Sequence, residues 1–222
     1  MSEHCPVVIL CGGLGTRMRE ETEFRPKPMV PVGGRPILWH IMKTYASQGF
    51  SEFVLALGYK GEMIRNYFIH YELMHNDVTL ELGRPESVAI HHGHAEAGWR
   101  VTLADTGEKA LKGARVKRLA RYLPGETFML TYGDGLGNVD LRALLAFHRS
   151  HGRTATVTGV NPTARLARFG ELDVAGDRVQ EFFEKPTVTG KYINGGYFVF
   201  NRSLLDLLSE RDDCDLEYGP LE

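Results

Sequence analysis

The sequence predicts an α/β protein: a mainly parallel, Rossmann-like sheet with helices on both faces. Three observations predict it. Short, uninterrupted apolar runs recur at Val7 to Leu10, Phe53 to Leu57, Phe128 to Tyr132, Thr154 to Val160 and Tyr197 to Phe200. Runs without alternation belong to strands buried on both faces, as in a parallel sheet. Between several of them, apolar residues return at helical spacing, and strands alternating with helices define the α/β class. Glycine-rich turns also follow two of the runs directly, at Gly12 to Gly15 and Gly133 to Gly135, at the strand ends where open sheets bind ligands.

Taken in order, Val7 to Leu10 is the first strand, and Ile37, Leu38, Ile41, Met42 and Tyr45 form the stripe of the first helix. Phe53 to Leu57 is the next strand, followed by a helical stripe of Met63, Ile64, Tyr67, Phe68 and Tyr71. The stretch from Asn76 to Leu123 is rich in Gly, Thr and charge. Its weak alternation at Val88 to Ile90 and Val101 to Leu103 reads as strands and loops inserted between sheet elements. Phe128 to Tyr132 resumes the sheet, and Leu141, Leu144, Leu145 and His148 mark a helix. Short strands at Gly170 to Val174 and Val179 to Phe183 bracket an Ala175-Gly176-Asp177 turn and make a small β-rich part. No repeat or linker separates two domains, so residues 1–222 read as a single domain.

Composition narrows the function. With 26 basic against 28 acidic residues and a formal net charge of −2, there is no electrostatic case for a nucleic-acid or membrane partner. Cys5, Cys11 and Cys214 form an odd, widely spaced set with no C-x-x-C knuckle, which fits a reducing cytoplasm. The N-terminus has no signal-peptide pattern, and no apolar run approaches the roughly 18 residues of a membrane span.

The stretch CGGLGTRMREETEFRPK after the first strand carries the strongest chemistry. Gly12, Gly13 and Gly15 let the backbone turn sharply and offer N–H groups to anionic oxygens. A dinucleotide fingerprint would place a third glycine where Met18 stands, and a P-loop would place a Lys-Ser/Thr pair that is absent. What remains is GGLGTR with RPKPM, a guanidinium at Arg17 and an ammonium at Lys27, the two cations that bind phosphate oxygens. Asp134, between Gly133 and Gly135 after a buried strand, suits Mg²⁺, which takes few protein carboxylates and completes its shell with phosphates and water. Lys185, beside a rigid Pro186 turn, suits a phosphate monoester, and Glu184 can accept from hydroxyls. In Asn194-Gly195-Gly196, the glycines permit close approach of a ring or a bulge. His91-His92-Gly93-His94 matches no zinc spacing and reads as a loop, and Asp213-Cys214-Asp215 reads as solvated charge.

With these residues in hand, the chain resembles the sugar nucleotidyltransferases. The likeness runs in the family's order through VVILCGGLGTRM, RPKPMVPVGGRPILWHIMKTY, LGYKGEMIRNYF, WRVTLADTG, FMLTYGDG, FGELDV, FFEKP and INGGYFVF. PILWHIMK, GYKG and VTLADTG are similar to the cytidylyl branch more than the thymidylyl branch. The resemblance implies the nucleotide-diphospho-sugar transferase fold, with residues up to about 135 binding nucleotide and the rest binding sugar phosphate in a small β-rich insertion. It implies CTP and a sugar 1-phosphate as substrates, Mg²⁺ as cofactor, a cytoplasmic enzyme and a homo-oligomer. Leu10, Gly12, Gly13, Leu14, Gly15, Thr16, Arg17, Lys27, Arg115 and Gly133 would bind the nucleotide. Gly170, Glu184, Lys185, Asn194 and Gly195 would bind the sugar phosphate, and Asp134 the metal. Arg17, Lys27 and Asp134 would act on the reacting phosphates. Relatives continue past the position of Glu222 to an aspartate that supplies a second metal ligand. A non-catalytic binding subunit, a transferase using UTP or dTTP, and a glycosyltransferase are the other readings.

Overall fold

The computed structural model describes residues 5–13, 24–84, 86–161, 171–183 and 192–221. Along them run β1 (Val7–Leu10), a small ribbon β2 (Pro31–Val32) and β3 (Arg35–Pro36), α1 (Ile37–Ser47), β4 (Glu52–Leu57), α2 (Gly61–Ile69) and α3 (Tyr71–His75). A hairpin of β5 (Asp77–Leu80) and β6 (Val88–His91) follows, then β7 (Arg100–Asp105), α4 (Lys112–Arg118), β8 (Thr127–Tyr132) and α5 (Leu141–His151). The chain closes with β9 (Ala155–Val160), β10 (Glu171–Ala175), β11 (Arg178–Phe183) and β12 (Tyr192–Asn201). No described helix is long and apolar enough to cross a membrane.

The central sheet has eight strands. Its parallel part runs β8-β1-β4-β7, and antiparallel β12 continues it past β8 to β10 and β11, with β9 also paired to β12. The uninterrupted run of β1 is explained by its two faces. Val7 and Ile9 pack with Leu38, Ile41, Met42 and Tyr45 of α1, Ile64 of α2 and Leu141 and Leu145 of α5. Val8 and Leu10 pack on the opposite face with Val116 of α4, Phe198 and Phe200 of β12, and Leu204, Leu205 and Leu216 from the C-terminal turns. Burying each large apolar side chain contributes roughly 1.5–3 kcal/mol, so both layers hold the central strand.

Two elements depart from the sequence reading. Val101 to Leu103, expected in an insertion, belongs to β7, which pairs with β4 from Glu52↔Arg100 to Leu57↔Asp105. As the edge of the parallel part, it buries only Ala104 fully, which is why its apolar signal is weak. The other is the helix α4, KGARVKR. Its buried side consists of Gly113, Ala114, Arg115 and Val116, too small and too charged to register as an apolar stripe.

At the amino end of β8, two histidines close a ring of hydrogen bonds that fixes their tautomers. Asn201 Nδ2 donates to the Arg153 carbonyl (3.0 Å), so its Oδ1 accepts from His148 Nε2 (2.9 Å). His148 Nδ1 is then left to accept from the Thr156 hydroxyl (2.8 Å), whose oxygen accepts from His151 Nε2 (2.7 Å). His151 Nδ1 in turn accepts from the Arg153 N–H (3.0 Å). His148 is 1% exposed. Burial pushes its pKa down, the Asn201 bond opposes this, and His151 and Arg149 add to the lowering. An unfolded histidine takes up its proton near pH 6.5, about where folding still resists it. Stability is therefore full above that pH and lost as pH falls through the folded value. Urea unfolding across this range is expected to show the loss, at most about 1.4 kcal/mol per pH unit for one proton, and His148→Gln is expected to remove that component.

Candidate active site

From β1 the chain moves to β4 and β7, with α1 and α2 packed on one face, and then returns by α4 on the other face to β8. β1 and β8 are neighbours whose onward connections run in opposite senses, so their carboxyl ends flank the crevice where such sheets bind ligands. The two loops are bound to each other there. Gly133 N–H donates to the Leu10 carbonyl (3.0 Å), while Cys11 N–H ties the first loop to β4 through the Ala56 carbonyl (3.0 Å). A Cβ on Gly133 would stand 2.9 Å from both the Leu10 oxygen and Pro28 Cγ, and 3.3 Å from Cys11 Sγ. Gly133→Ala is expected to cost roughly 1–3 kcal/mol and to displace Asp134, read as a lowered Tm together with lost turnover.

Lys27 and Asp134, 107 residues apart, meet across this crevice. Lys27 opens a short 3-10 turn (Lys27–Met29) whose buried Pro28 packs against Gly133. Its Nζ donates to Asp134 Oδ2, with the two side chains 26% and 35% exposed. The pair is thus reachable by a ligand, and a triphosphate with a divalent cation offers each charge a new partner. A Cβ on Gly135 would meet nothing within 4 Å, so the backbone following Asp134 borders open space. Among the described residues, no three His, Cys, Asp or Glu side chains gather into a metal site. The accessible Asp134 carboxylate fits Mg²⁺, which uses one or two protein carboxylates and fills its shell from phosphates and water.

Arg115, which the resemblance assigns to the nucleotide, is held by the protein's own acceptors. It is 4% exposed and lies beneath the first loop, where its guanidinium is shared among the protein's own acceptors. Nη1 donates to the Leu57 carbonyl (3.1 Å) and Thr106 Oγ1 (2.9 Å), and Nη2 to the carbonyls of Gly12 (2.9 Å) and Glu108 (3.1 Å). One side chain ties the loops after β1, β4 and β7. Gly12 and Gly58 make room for it, since a Cβ on either would collide with Nη1. The space left by Gly12 is therefore filled by protein, whereas Gly13 is exposed and a Cβ there would meet nothing within 4 Å.

Of the residues expected to bind the sugar phosphate, two are described. Asn194 and Gly195 lie in β12, where the register against β9 shifts between Asn194 and Phe198. A bulge of this kind re-aims side chains near active sites. Gly195 accommodates β9, because a Cβ there would stand 2.6 Å from Thr158 Oγ1. Leu14, Gly15, Thr16, Arg17, Gly170, Glu184 and Lys185 lie outside the described residues.

The histidine run holds no metal cluster among the described residues. His91 Nε2 lies 2.9 Å from Thr79 Oγ1, and His94 sits between Glu72 and Glu96. Asp213 pairs with Arg211 on the surface, and Asp215 Oδ1 accepts from the Glu217 N–H (2.7 Å). Sequence reasoning did not single out Thr106, which accepts from Arg115, or Tyr132, which donates to Glu217, although both stand in motifs that carry the family likeness, VTLADTG and TYGDG. It also missed Glu217, for which no local pattern gives a signal.

Residues 6–221 match the family model described as nucleotidyl transferase. The chain is 46% identical over 215 residues to the glucose-1-phosphate cytidylyltransferase of Salmonella typhimurium, a match covering 96% of this chain and 81% of that protein. It is 28% identical over 215 residues to the D-glycero-alpha-D-manno-heptose 1-phosphate guanylyltransferase of Aneurinibacillus thermoaerophilus, covering 97% and 83%. The crystal structure of HddC from Yersinia pseudotuberculosis complexed with GMP-PN has the same fold, with a TM-score of 0.72 at 23% identity over 96% of this chain and 84% of that one. With its parallel sheet, its switch-point crevice and these relatives, the chain belongs to the nucleotidyl transferase family.

Proposed function

We propose that this protein transfers a cytidylyl group from CTP to a sugar 1-phosphate, α-D-glucose 1-phosphate foremost, giving a CDP-sugar and pyrophosphate. The observation that carries this reading is the 46% identity to a glucose-1-phosphate cytidylyltransferase along nearly the whole chain, against 28% to a guanylyltransferase. The site supports it. A cation and a carboxylate at the β1/β8 switch point are what a triphosphate with its divalent ion requires.

In this reaction an oxygen of the sugar phosphate attacks the α-phosphorus of CTP in line. The bond from that phosphorus to the β-phosphate oxygen breaks, and pyrophosphate leaves. A phosphate monoester has its second pKa near about 6, so the nucleophile is already anionic at neutral pH and needs no general base. The protein's task is to align two anions and to balance charge on the leaving group. Lys27 would neutralise phosphate oxygens, Asp134 would hold Mg²⁺, and Arg115 would keep the loops at the crevice in register from below. When bound, Mg²⁺ supplies charge neutralisation at the phosphates. The resemblance assigns Arg17 to the triphosphate and Glu184 and Lys185 to the sugar phosphate. Homo-oligomerisation belongs to the same proposal and is read directly by sedimentation velocity.

The deciding experiment measures pyrophosphate release from CTP, UTP and dTTP with several sugar 1-phosphates, and identifies the product by mass. CDP-glucose from CTP and glucose 1-phosphate is the expected result. Faster release from UTP or dTTP would reassign the nucleotide. Saturable CTP binding without release would make the protein a binding subunit.

A further inference from the structure

The C-terminal segment folds against the start of α4 and delivers a carboxylate to the end of β8. Leu111 and Ala114 donate their N–H groups to the carbonyls of Asp212 (2.8 Å) and Cys214 (3.0 Å). A Cβ on Gly113 would stand 2.7 Å from the Asp215 oxygen, so this contact is backbone against backbone. Asp215 Oδ1 accepts from Glu217 N–H (2.7 Å), which turns the Glu217 side chain inward to 3% exposure. There Oε1 accepts from the Tyr132 hydroxyl and Oε2 pairs with Lys112 Nζ.

Tyr132 is the last residue of β8, directly before Gly133 and Asp134. With its O–H donated to Glu217, its oxygen accepts from Asn194 Nδ2 (3.2 Å). Asn194 Oδ1 accepts from the Gly196 N–H (2.8 Å), so both ends of the carboxamide are held. A carboxamide has two N–H donors and two acceptor lone pairs, and these bonds use one of each. The second donor and the second lone pair are thereby fixed in direction. Gly196, at φ 78°, brings the backbone of β12 against the Tyr132 ring, with a Cβ position 3.0 Å from Cδ2. A charge-assisted bond at one end of the chain thus orients a neutral donor at the other.

We infer that Glu217 and Tyr132 are positioning residues for the sugar-phosphate half of the site, acting through Asn194; this rests on the reaction proposed above. Glu217 sets the direction of the Tyr132 hydroxyl, and the hydroxyl sets the Asn194 carboxamide that meets the sugar. Among the described residues, the bonds of this relay do not include Lys27 or Asp134, which pair with each other.

Kinetics of CDP-glucose formation by wild type, Tyr132→Phe, Glu217→Gln and the double variant test it. Tyr132→Phe keeps the ring packing and removes only the hydroxyl. Each single variant is expected to raise KM for glucose 1-phosphate about tenfold, the scale of one lost hydrogen bond, with KM for CTP within about twofold. The double variant is expected to be no worse than the weaker single, because both cut one chain. In the substrate-free protein, the side-chain amide resonances of Asn194 are expected to move in Glu217→Gln as they do in Tyr132→Phe. An unchanged sugar KM in Tyr132→Phe, an equal rise in the CTP KM, or Asn194 resonances unmoved in Glu217→Gln would each overturn the relay. A wild-type protein that forms no CDP-glucose would overturn the reaction and not the relay, which the Asn194 resonances then decide alone.

Discussion

Lys27→Ala and Asp134→Ala are each expected to lower turnover by about 10²–10³-fold, the range seen when one preorganised charge is removed from a developing transition state. The same substitutions are expected to leave Tm within a few degrees of wild type. The two side chains pair with each other at the mouth of the crevice, and both are partly exposed. An ion pair in that setting contributes about 0–1 kcal/mol to folding, since water screens it. The charges matter to the reaction for the opposite reason, because substrate binding excludes that water and strengthens their action on phosphate. Pyrophosphate release and a thermal melt on the same preparations check both halves. A loss below tenfold in both variants would place the reacting phosphates elsewhere.

Arg115→Ala is expected to behave in the reverse way, costing roughly 3 kcal/mol or more of stability, because a set of charge-assisted bonds is lost and the buried space of the side chain is left empty. For a chain of this size, about 2–4 °C of Tm per kcal/mol makes that a fall of roughly 6–12 °C. The Leu57 carbonyl keeps Thr106 as donor and the Gly12 carbonyl keeps the Tyr59 N–H, but the loops after β1, β4 and β7 lose their common tie. Arg115→Lys is expected to recover only part of the loss, since one ammonium cannot reproduce a planar fork. Where enough folded protein remains, the KM for CTP is expected to rise, because the Gly12 loop is no longer held from below. A wild-type Tm in Arg115→Ala would show that the loops hold without that tie.

Much of the fold was legible because β1, β4 and β8 are buried on both faces and so appear as unbroken apolar runs. β7 and α4 were not. The first lies at an edge with only Ala104 fully buried, and the second buries Gly113 and Arg115, which no periodicity count weighs as core. The candidate site was legible as a set of motifs, each a strand end followed by glycine. Their individual roles were less so. Glycine in a sequence signals space without saying who fills it. Protein fills it at Gly12 with Arg115, at Gly133 with Leu10 and Pro28, and at Gly195 with Thr158.

By itself, then, the sequence determined the α/β class and pointed to Lys27 and Asp134, beside the ends of β1 and β8, as candidates for phosphate and metal. These depend on local patterns of burial, turn chemistry and charge. Only the tertiary structure decided that Arg115 works beneath the loop and that Glu217 reaches the end of β8 through Tyr132. The physical reason is separation along the chain. Arg115 bonds to Gly12 across 103 residues, and Tyr132 to Glu217 across 85, so neither contact leaves a trace in any local pattern.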